Sequence, residues 1–124
     1  MRKFPILLAA LMLSAAPAFA ADPARVADTA KGKALVDPQG MTLYTFDKDT
    51  PGKSNCYDKC AANWPPLTAP AGAKGTGDWS VVPRTDGGAQ WAYKGMPLYG
   101  WVKDSKPGET SGDGVGGVWH VAQP

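Results

Sequence analysis

Five side chains beyond residue 20 of this 124-residue chain could ligate a soft metal ion. Thiolate, thioether and imidazole groups together suit copper(I). The five are scattered without a compact ligand spacing, however, and methionine at the start of a strand is more often core filler. A lone histidine inside an apolar strand is likewise typical of a buried core residue. A soft-metal site is therefore an alternative to a structural role for Cys56, Cys60, His120, Met41 and Met96.

The two cysteines could also carry chemistry of their own. In an oxidising compartment, Cys56 and Cys60 pair with each other, bind a metal or stay free. One helical turn would bring their Cα atoms to about 6 Å, which a disulfide tolerates. A redox role is more typical of the C-x-x-C spacing, and Ala61 after the second cysteine excludes the motif for covalent haem. We favour a local structural disulfide and keep metal binding and thiol-redox chemistry as alternatives.

The carboxylates indicate structure more than chemistry. A run from residue 47 to residue 58 matches part of the spacing of an EF-hand calcium loop, but Pro51 occupies a ligand position and a strand precedes the loop. We expect Asp49 and Asp104 to accept backbone N–H groups from the turns that follow them. The sequence has no serine-nucleophile elbow and no phosphate-binding glycine loop. It therefore predicts a protein that is not an enzyme and carries no cofactor.

An internal repeat organises the chain. Residues 40–49 read GMTLYTFDKD and residues 95–104 read GMPLYGWVKD, at an offset of 55. A duplication of this length indicates two copies of one supersecondary unit that share a core. The hydroxyls of Tyr44 and Tyr99 need partners if they are buried, and the repeated aspartates, within or between the repeats, are the candidates.

The repeated phrase also identifies a family resemblance. Its pattern, Tyr-x-aromatic-x-x-Asp, comprises Tyr44, Phe46 and Asp49 in the first copy and Tyr99, Trp101 and Asp104 in the second. A Cys-x3-Cys…Trp-Pro-Pro-Leu segment and a closing Gly-x-Trp-His complete it. Together they resemble the bacterial secreted-repeat family described as predicted lipoproteins with a Yx(F/W/Y)xxD motif. The resemblance implies a small extracytoplasmic domain of paired repeats, without an established molecular function. The lipid-attachment cysteine of the lipoprotein members is missing here, so we expect no lipid anchor.

The N-terminus has the three parts of a secretory signal. Arg2 and Lys3 precede an apolar run over residues 6–13, and Ala18-Phe19-Ala20 is a cleavage site. The run is too short to span a bilayer, so we expect a periplasmic or secreted chain that starts at Ala21 and has no membrane span. Removing Arg2 and Lys3 from the 13 basic residues leaves 11 against 11 acidic ones. This balance disfavours nucleic acid and anionic membranes as partners.

The spacing of turn residues predicts the domain organisation. We expect a mainly β, single-domain protein over residues 33–124, built from two pseudo-repeats that are each a hairpin plus a closing strand. The repeats should cover residues 33–67 and 88–122, joined by a Gly/Pro/Ala-rich connector. Residues 21–32 are predicted to be a flexible leader.

The expected elements are short. One helix is predicted over residues 56–62, started by Asn55 with Asp58 and stopped by the prolines that follow. Alternate strand residues share a face, so the aromatic residues of each motif should point one way and the leucines the other. The predicted strands are residues 33–36, 41–47, 78–83, 90–93, 96–103 and 118–122.

Five tryptophans lie beyond residue 20: Trp64, Trp79, Trp91, Trp101 and Trp119. We expect them to supply much of the core, with an exposed aromatic platform as the alternative. The sequence thus predicts an extracytoplasmic, non-catalytic binding or envelope-associated module with an unknown ligand or partner. The alternative is a periplasmic copper-handling or thiol-redox protein.

Overall fold

The computed structural model describes residues 22–124, and the predicted signal peptide and its cleavage site lie outside this range. The described chain is a single, mainly β domain with one short α-helix, as predicted. Its strands are β1 (Arg25–Thr29), β2 (Gly32–Val36), β3 (Tyr44–Phe46), β4 (Trp79–Pro83), β5 (Ala89–Tyr93), β6 (Met96–Pro97) and β7 (Trp119–Val121). The helix α1 covers Lys59–Asn63, and a 3-10 helix covers Val115–Gly117.

The strands form three small antiparallel sheets. β1 pairs with β2, β3 pairs with β7, and β4, β5 and β6 form a meander. β1, β2 and β3 come from the first half of the chain, which holds the first motif copy, and β4 to β7 come from the second half. Within residues 22–124, none of the helices has the length and apolarity that crossing a membrane requires.

The two repeats exchange their closing segments. Leu35 N–H donates to Ala122 O, and Ala122 N–H donates to Leu43 O, so the last strand of the second repeat completes the first. In the same way, Trp91 N–H donates to Leu67 O, and Leu67 N–H donates to the carbonyl of residue 98. Each repeat therefore needs the other to satisfy its backbone groups.

The core has two sides, as the strand alternation predicts. Tyr44 and Tyr99 are fully buried in an aromatic cluster on one side. Leu43 and Leu98 are buried in an aliphatic cluster on the other side, with Leu35. Residues that are adjacent in sequence within each motif strand thus point into opposite clusters.

The leader prediction is wrong from residue 25 onward. Residues 25–29 form β1, which pairs in full register with β2, from Arg25 opposite Val36 to Thr29 opposite Gly32. Gly32 has a φ of 90°, and the Thr29 hydroxyl donates to its carbonyl, which closes the tight turn. β1 has one partner strand, and its residues, RVADT, are all exposed or half-buried, so the segment carries little hydrophobic signal.

The helix begins later than predicted. Residues 56–58 are not helical, because Asp58 has φ 54° and ψ −120°, and its side chain makes no capping hydrogen bond. The Asn55 amide instead donates to the Lys48 carbonyl, so the expected capping pair does not form. The predicted strands are also shortened, since the motif residues pair only over three residues or fewer in β3 and β6.

Candidate functional site

The repeat motifs meet at the centre of the domain and form a reciprocal latch. Tyr44 and Tyr99 exchange both backbone hydrogen bonds, at 2.8 and 3.0 Å. The Tyr44 hydroxyl donates to Asp104 at 2.6 Å, and the Tyr99 hydroxyl donates to Asp49 at 2.6 Å. Each tyrosine therefore binds the aspartate of the other repeat, which is one of the two pairings that the sequence left open.

The aspartates also hold backbone groups of their own repeat. Asp49 accepts the N–H of Asn55 at 2.7 Å. Asp104 accepts the N–H of Ser111 at 3.1 Å and its hydroxyl at 2.6 Å. The backbone donors lie beyond the turns from which we expected them, since the chain continues for several residues before it returns to the carboxylate.

Burial sets the protonation of the latch. It raises the pKa of the Tyr44 and Tyr99 hydroxyls, and the hydrogen bonds to the aspartates raise these pKa values further. Burial also raises the pKa of Asp49, although the bonds from Tyr99 and Asn55 oppose this shift. The neutral tyrosines thus donate to carboxylates that are almost inaccessible to solvent. This arrangement joins the two repeats at the centre of the domain.

A stack of four aromatic rings runs beside the latch and alternates between the repeats. Phe46 lies 4.2 Å from Trp119, Trp119 lies 3.8 Å from Trp64, and Trp64 lies 3.9 Å from Trp101, as ring centroids. Gly112 packs against it, because a Cβ there would lie 2.9 Å from both Trp64 and the Tyr44 ring. The stack and the latch together account for every residue of the repeated motif.

The first copy of the latch continues to a buried cation that the sequence analysis missed. The Arg84 side chain is only 2% exposed, and its guanidinium donates to Ser54 and to the Gln90 side chain, at 3.1 and 2.8 Å. Ser54 Oγ also accepts the Cys56 N–H, so its own hydrogen is free to donate to Tyr99. No spacing signal marks Arg84, since Ser54 lies 30 residues before it in the sequence.

The cysteines form a disulfide, with the sulfurs 2.05 Å apart. Cys56 is fully buried in the aromatic cluster, whereas Cys60 is half-buried. Because a metal ligand must be a thiolate, the bridge removes both sulfurs from the proposed copper set. Within residues 22–124 no three His, Cys, Asp or Glu side chains converge in a way that could hold a metal ion.

The other members of the predicted soft-metal set lie elsewhere. His120 is exposed, which corrects the expectation of a buried core histidine. Its ring Nε2 pairs with Asp47 Oδ2 at 2.7 Å, because alternation along β7 turns it away from the core. Met41 lines a shallow groove beside Trp101, and Met96 lines another beside Thr45. The carboxylates of the EF-hand-like segment 47–58 do not converge either, since Asp47 pairs with His120 while Asp49 accepts a hydrogen bond from Tyr99.

A different region offers room for a ligand. An open groove of about 690 Å³ lies between β1 and the sheet of β4 and β5. Trp79 and Tyr93 are opposite each other in the β4–β5 register, with ring centroids 5.0 Å apart, and both are half-buried. Buried Leu35 and the 48%-exposed Val26 add aliphatic surface. We name this region the aromatic groove; Asp22, Ala24, Arg25, Val26, Leu35, Pro38, Trp79 and Tyr93 line it.

The tryptophans supply much of the core, as expected, and Trp79 also borders the aromatic groove. Trp64 and Trp119 are buried, but Trp79 and Trp91 are half-exposed and contact each other edge to face, with centroids 6.3 Å apart. Arg25 supplies a positive charge that makes no hydrogen bond or ion pair with another residue of the described range. The sequence signal was the alternation of Trp91 and Tyr93 in β5, which places both on the outer face.

Comparison with known families agrees with the repeat architecture. Residues 25–68 and 80–123 each match the family model described as a secreted repeat of unknown function. No curated protein and no solved structure matches the chain significantly. The first match starts at Arg25, so β1 belongs to the repeat unit and the pseudo-repeat begins before residue 33.

Proposed function

Because the chain belongs to the family of secreted repeats of unknown function, we propose that it is a non-catalytic binding module whose ligand occupies the aromatic groove. The observation that carries this proposal is the pair of half-exposed rings, Trp79 and Tyr93, at the edge of an open cavity. Half-exposed aromatic rings that border an open cavity are typical of a ligand-binding site.

The chemistry of the groove favours a small amphipathic molecule with a flat apolar face. Ring faces of Trp79 and Tyr93 suit stacking, and Leu35 and Val26 suit aliphatic contact. Arg25 and Asp22 at the groove offer one charge of each sign to the polar end of the molecule. The uncompensated Arg25 guanidinium favours an anionic group at that end.

The non-catalytic part of the proposal is supported by where the polar side chains go. Asp49, Asp104 and Arg84 are buried and engaged in the latch or in its extension. The exposed His120 and Asp47 pair with each other. None of these groups lines the aromatic groove, where the apolar and aromatic side chains outnumber Asp22 and Arg25.

A flat anionic dye, 8-anilinonaphthalene-1-sulfonate, is a suitable probe for the groove. We expect its fluorescence to rise on binding to the folded protein and the affinity to fall at least tenfold in Val26→Asp. A carboxylate at this position would repel the sulfonate and interrupt the apolar wall. The matched control is Val102→Asp, since Val102 is 51% exposed against 48% for Val26 and lies at a second groove of about 250 Å³.

Equal weakening in both variants, or weakening in Val102→Asp alone, would refute the groove as the site. Retained binding in Arg25→Gln would remove the anionic preference while leaving the site in place. Far- and near-ultraviolet circular dichroism of each variant checks that the change acts on binding and not on folding.

We extend the proposal to the compartment. A secreted repeat with the predicted signal at residues 1–20 is expected to reach the periplasm or the medium, where the Cys56–Cys60 disulfide is stable. Fractionation of cells that express the full chain, followed by intact mass, tests this. A cytoplasmic chain that retains residues 1–20 would contradict it.

A further inference from the structure

The disulfide closes a turn whose backbone is unfavourable for the residue that occupies it. Cys60 N–H donates to Tyr57 O at 3.1 Å, which makes residues 57–60 a β-turn. Asp58, the first central residue, has φ 54° and ψ −120°, the geometry of a type II′ turn. Glycine dominates this position because a Cβ is strained there. The oxidised loop therefore holds Asp58 in a conformation that an open loop would release.

The second repeat shows that the disulfide is not needed for the architecture. At the offset of 55, Cys56 corresponds to Ser111 and Cys60 corresponds to Val115. Ser111 nevertheless anchors Asp104, and Tyr44 completes the same latch as in the first copy. The chain thus contains its own disulfide-free version of the unit. A bridge over so few residues also restricts the unfolded chain little.

The two sulfurs differ in their surroundings. Cys60 is half-buried and packs against the edge of the aromatic cluster, whereas Cys56 is fully buried within it. Arg84 donates to the Cys56 carbonyl at 2.8 Å, and its guanidinium is itself almost completely buried. That guanidinium also pairs with Asp86 at 3.2 Å, so its charge is compensated. Because Cys60 is the less buried cysteine, an attacking thiolate reaches Cys60 and Cys56 is the leaving group.

We propose that Cys56–Cys60 is a reversible redox site that accepts two electrons from a dithiol. A thiolate of the dithiol attacks Cys60 Sγ, the S–S bond breaks, and the electron pair stays on Cys56 Sγ, which then takes a proton. The second thiol of the donor attacks the mixed disulfide and releases Cys60 as a thiolate, which is protonated in turn. The protein gains two electrons and two protons, and the donor loses both and becomes a disulfide.

Equilibration of the folded protein with dithiothreitol at graded ratios of reduced to oxidised reagent, followed by alkylation and mass analysis, tests the proposal. We expect reduction without denaturant and with native circular dichroism. The informative variant is Asp58→Gly, which removes the strain of the oxidised turn. We expect its equilibrium constant for reduction to be roughly fivefold lower than that of the wild type.

The matched control is Lys94→Gly. Lys94 has a φ of 49° and is the other non-glycine residue of the described range with a positive φ, but it lies in the β5–β6 turn, away from the cysteines. We expect it to leave the redox equilibrium unchanged. A disulfide that is reduced only after unfolding would overturn the proposal, as would an Asp58→Gly equilibrium equal to that of Lys94→Gly.

Discussion

Removal of one latch hydroxyl tests the central structural conclusion. In Tyr99→Phe, Asp49 loses a 2.6 Å hydrogen bond while it stays 6% exposed, and Ser54 loses its acceptor. A hydrogen bond to a buried charged group contributes about 1.5–3 kcal/mol, and a neutral one contributes about 1 kcal/mol. We therefore expect Tyr99→Phe to lower the free energy of unfolding by about 3 kcal/mol.

The equivalent variant in the other repeat and the effect of acid provide two further tests of the latch. Tyr44→Phe deprives Asp104 of the equivalent bond and leaves the Gly112 N–H without its acceptor at 3.2 Å, so a similar loss is expected. The loss in Tyr99→Phe should shrink in acid, because burial already raises the pKa of Asp49 and a protonated carboxyl has less charge to leave unpaired.

Urea unfolding followed by tryptophan fluorescence measures these differences. Tyr93→Phe is the control, because Tyr93 is half-exposed and its hydroxyl binds no other residue of the described range; a change below about 0.5 kcal/mol is expected. If Tyr99→Phe changes the stability no more than Tyr93→Phe does, the latch does not hold the repeats together.

Two further predictions concern alkaline pH and a buried hydroxyl. Burial raises the folded-state pKa of Tyr44 and Tyr99, so their stabilisation is fully present below the unfolded pKa of about 10 and is lost as the pH rises further. The free energy of unfolding should then fall by up to about 2.7 kcal/mol per pH unit, and tyrosinate absorbance should rise only with unfolding; two tyrosines that titrate at their ordinary pKa while folded would contradict this. Thr42→Val should leave the stability unchanged or raise it by up to about 1 kcal/mol, because the Thr42 hydroxyl is buried without a partner among the described residues; a loss above about 1 kcal/mol in urea unfolding would reveal a partner.

The sequence predicted the features that repeat and the features that are local. The duplicated phrase indicated two units with a shared core, and the cysteine spacing indicated a local disulfide, which the structure confirms. Tyr44 and Tyr99 were recognised as hydroxyls in need of aspartate partners, but spacing alone could not decide whether the pairs lie within or between repeats. The exchange of closing segments decides it, and such an exchange leaves no mark on either repeat by itself.

Features that depend on distant segments were missed. Arg84 contacts Ser54 and Cys56, which precede it by 30 and 28 residues, so no window around residue 84 predicts a buried cation. β1 was missed because its single partner supplies the pairing while its own side chains stay largely exposed. His120 was placed on the wrong face, since an apolar neighbourhood in sequence covers both faces of a strand.

The comparison of the two repeats separates structure from function. The Tyr–Asp latch and the aromatic stack occur in both copies, so the fold itself accounts for them. The disulfide and the contacts of Arg84 with Ser54 and Cys56 surround the first copy's latch, whereas the second copy forms its Tyr44–Asp104 bond without them. The aromatic pair of the groove likewise has no counterpart in the first repeat. At the offset of 55, the positions equivalent to Trp79 and Tyr93 hold Ala24 and Pro38. A duplicated fold needs none of these asymmetries, and the proposed binding and redox roles both rest on them.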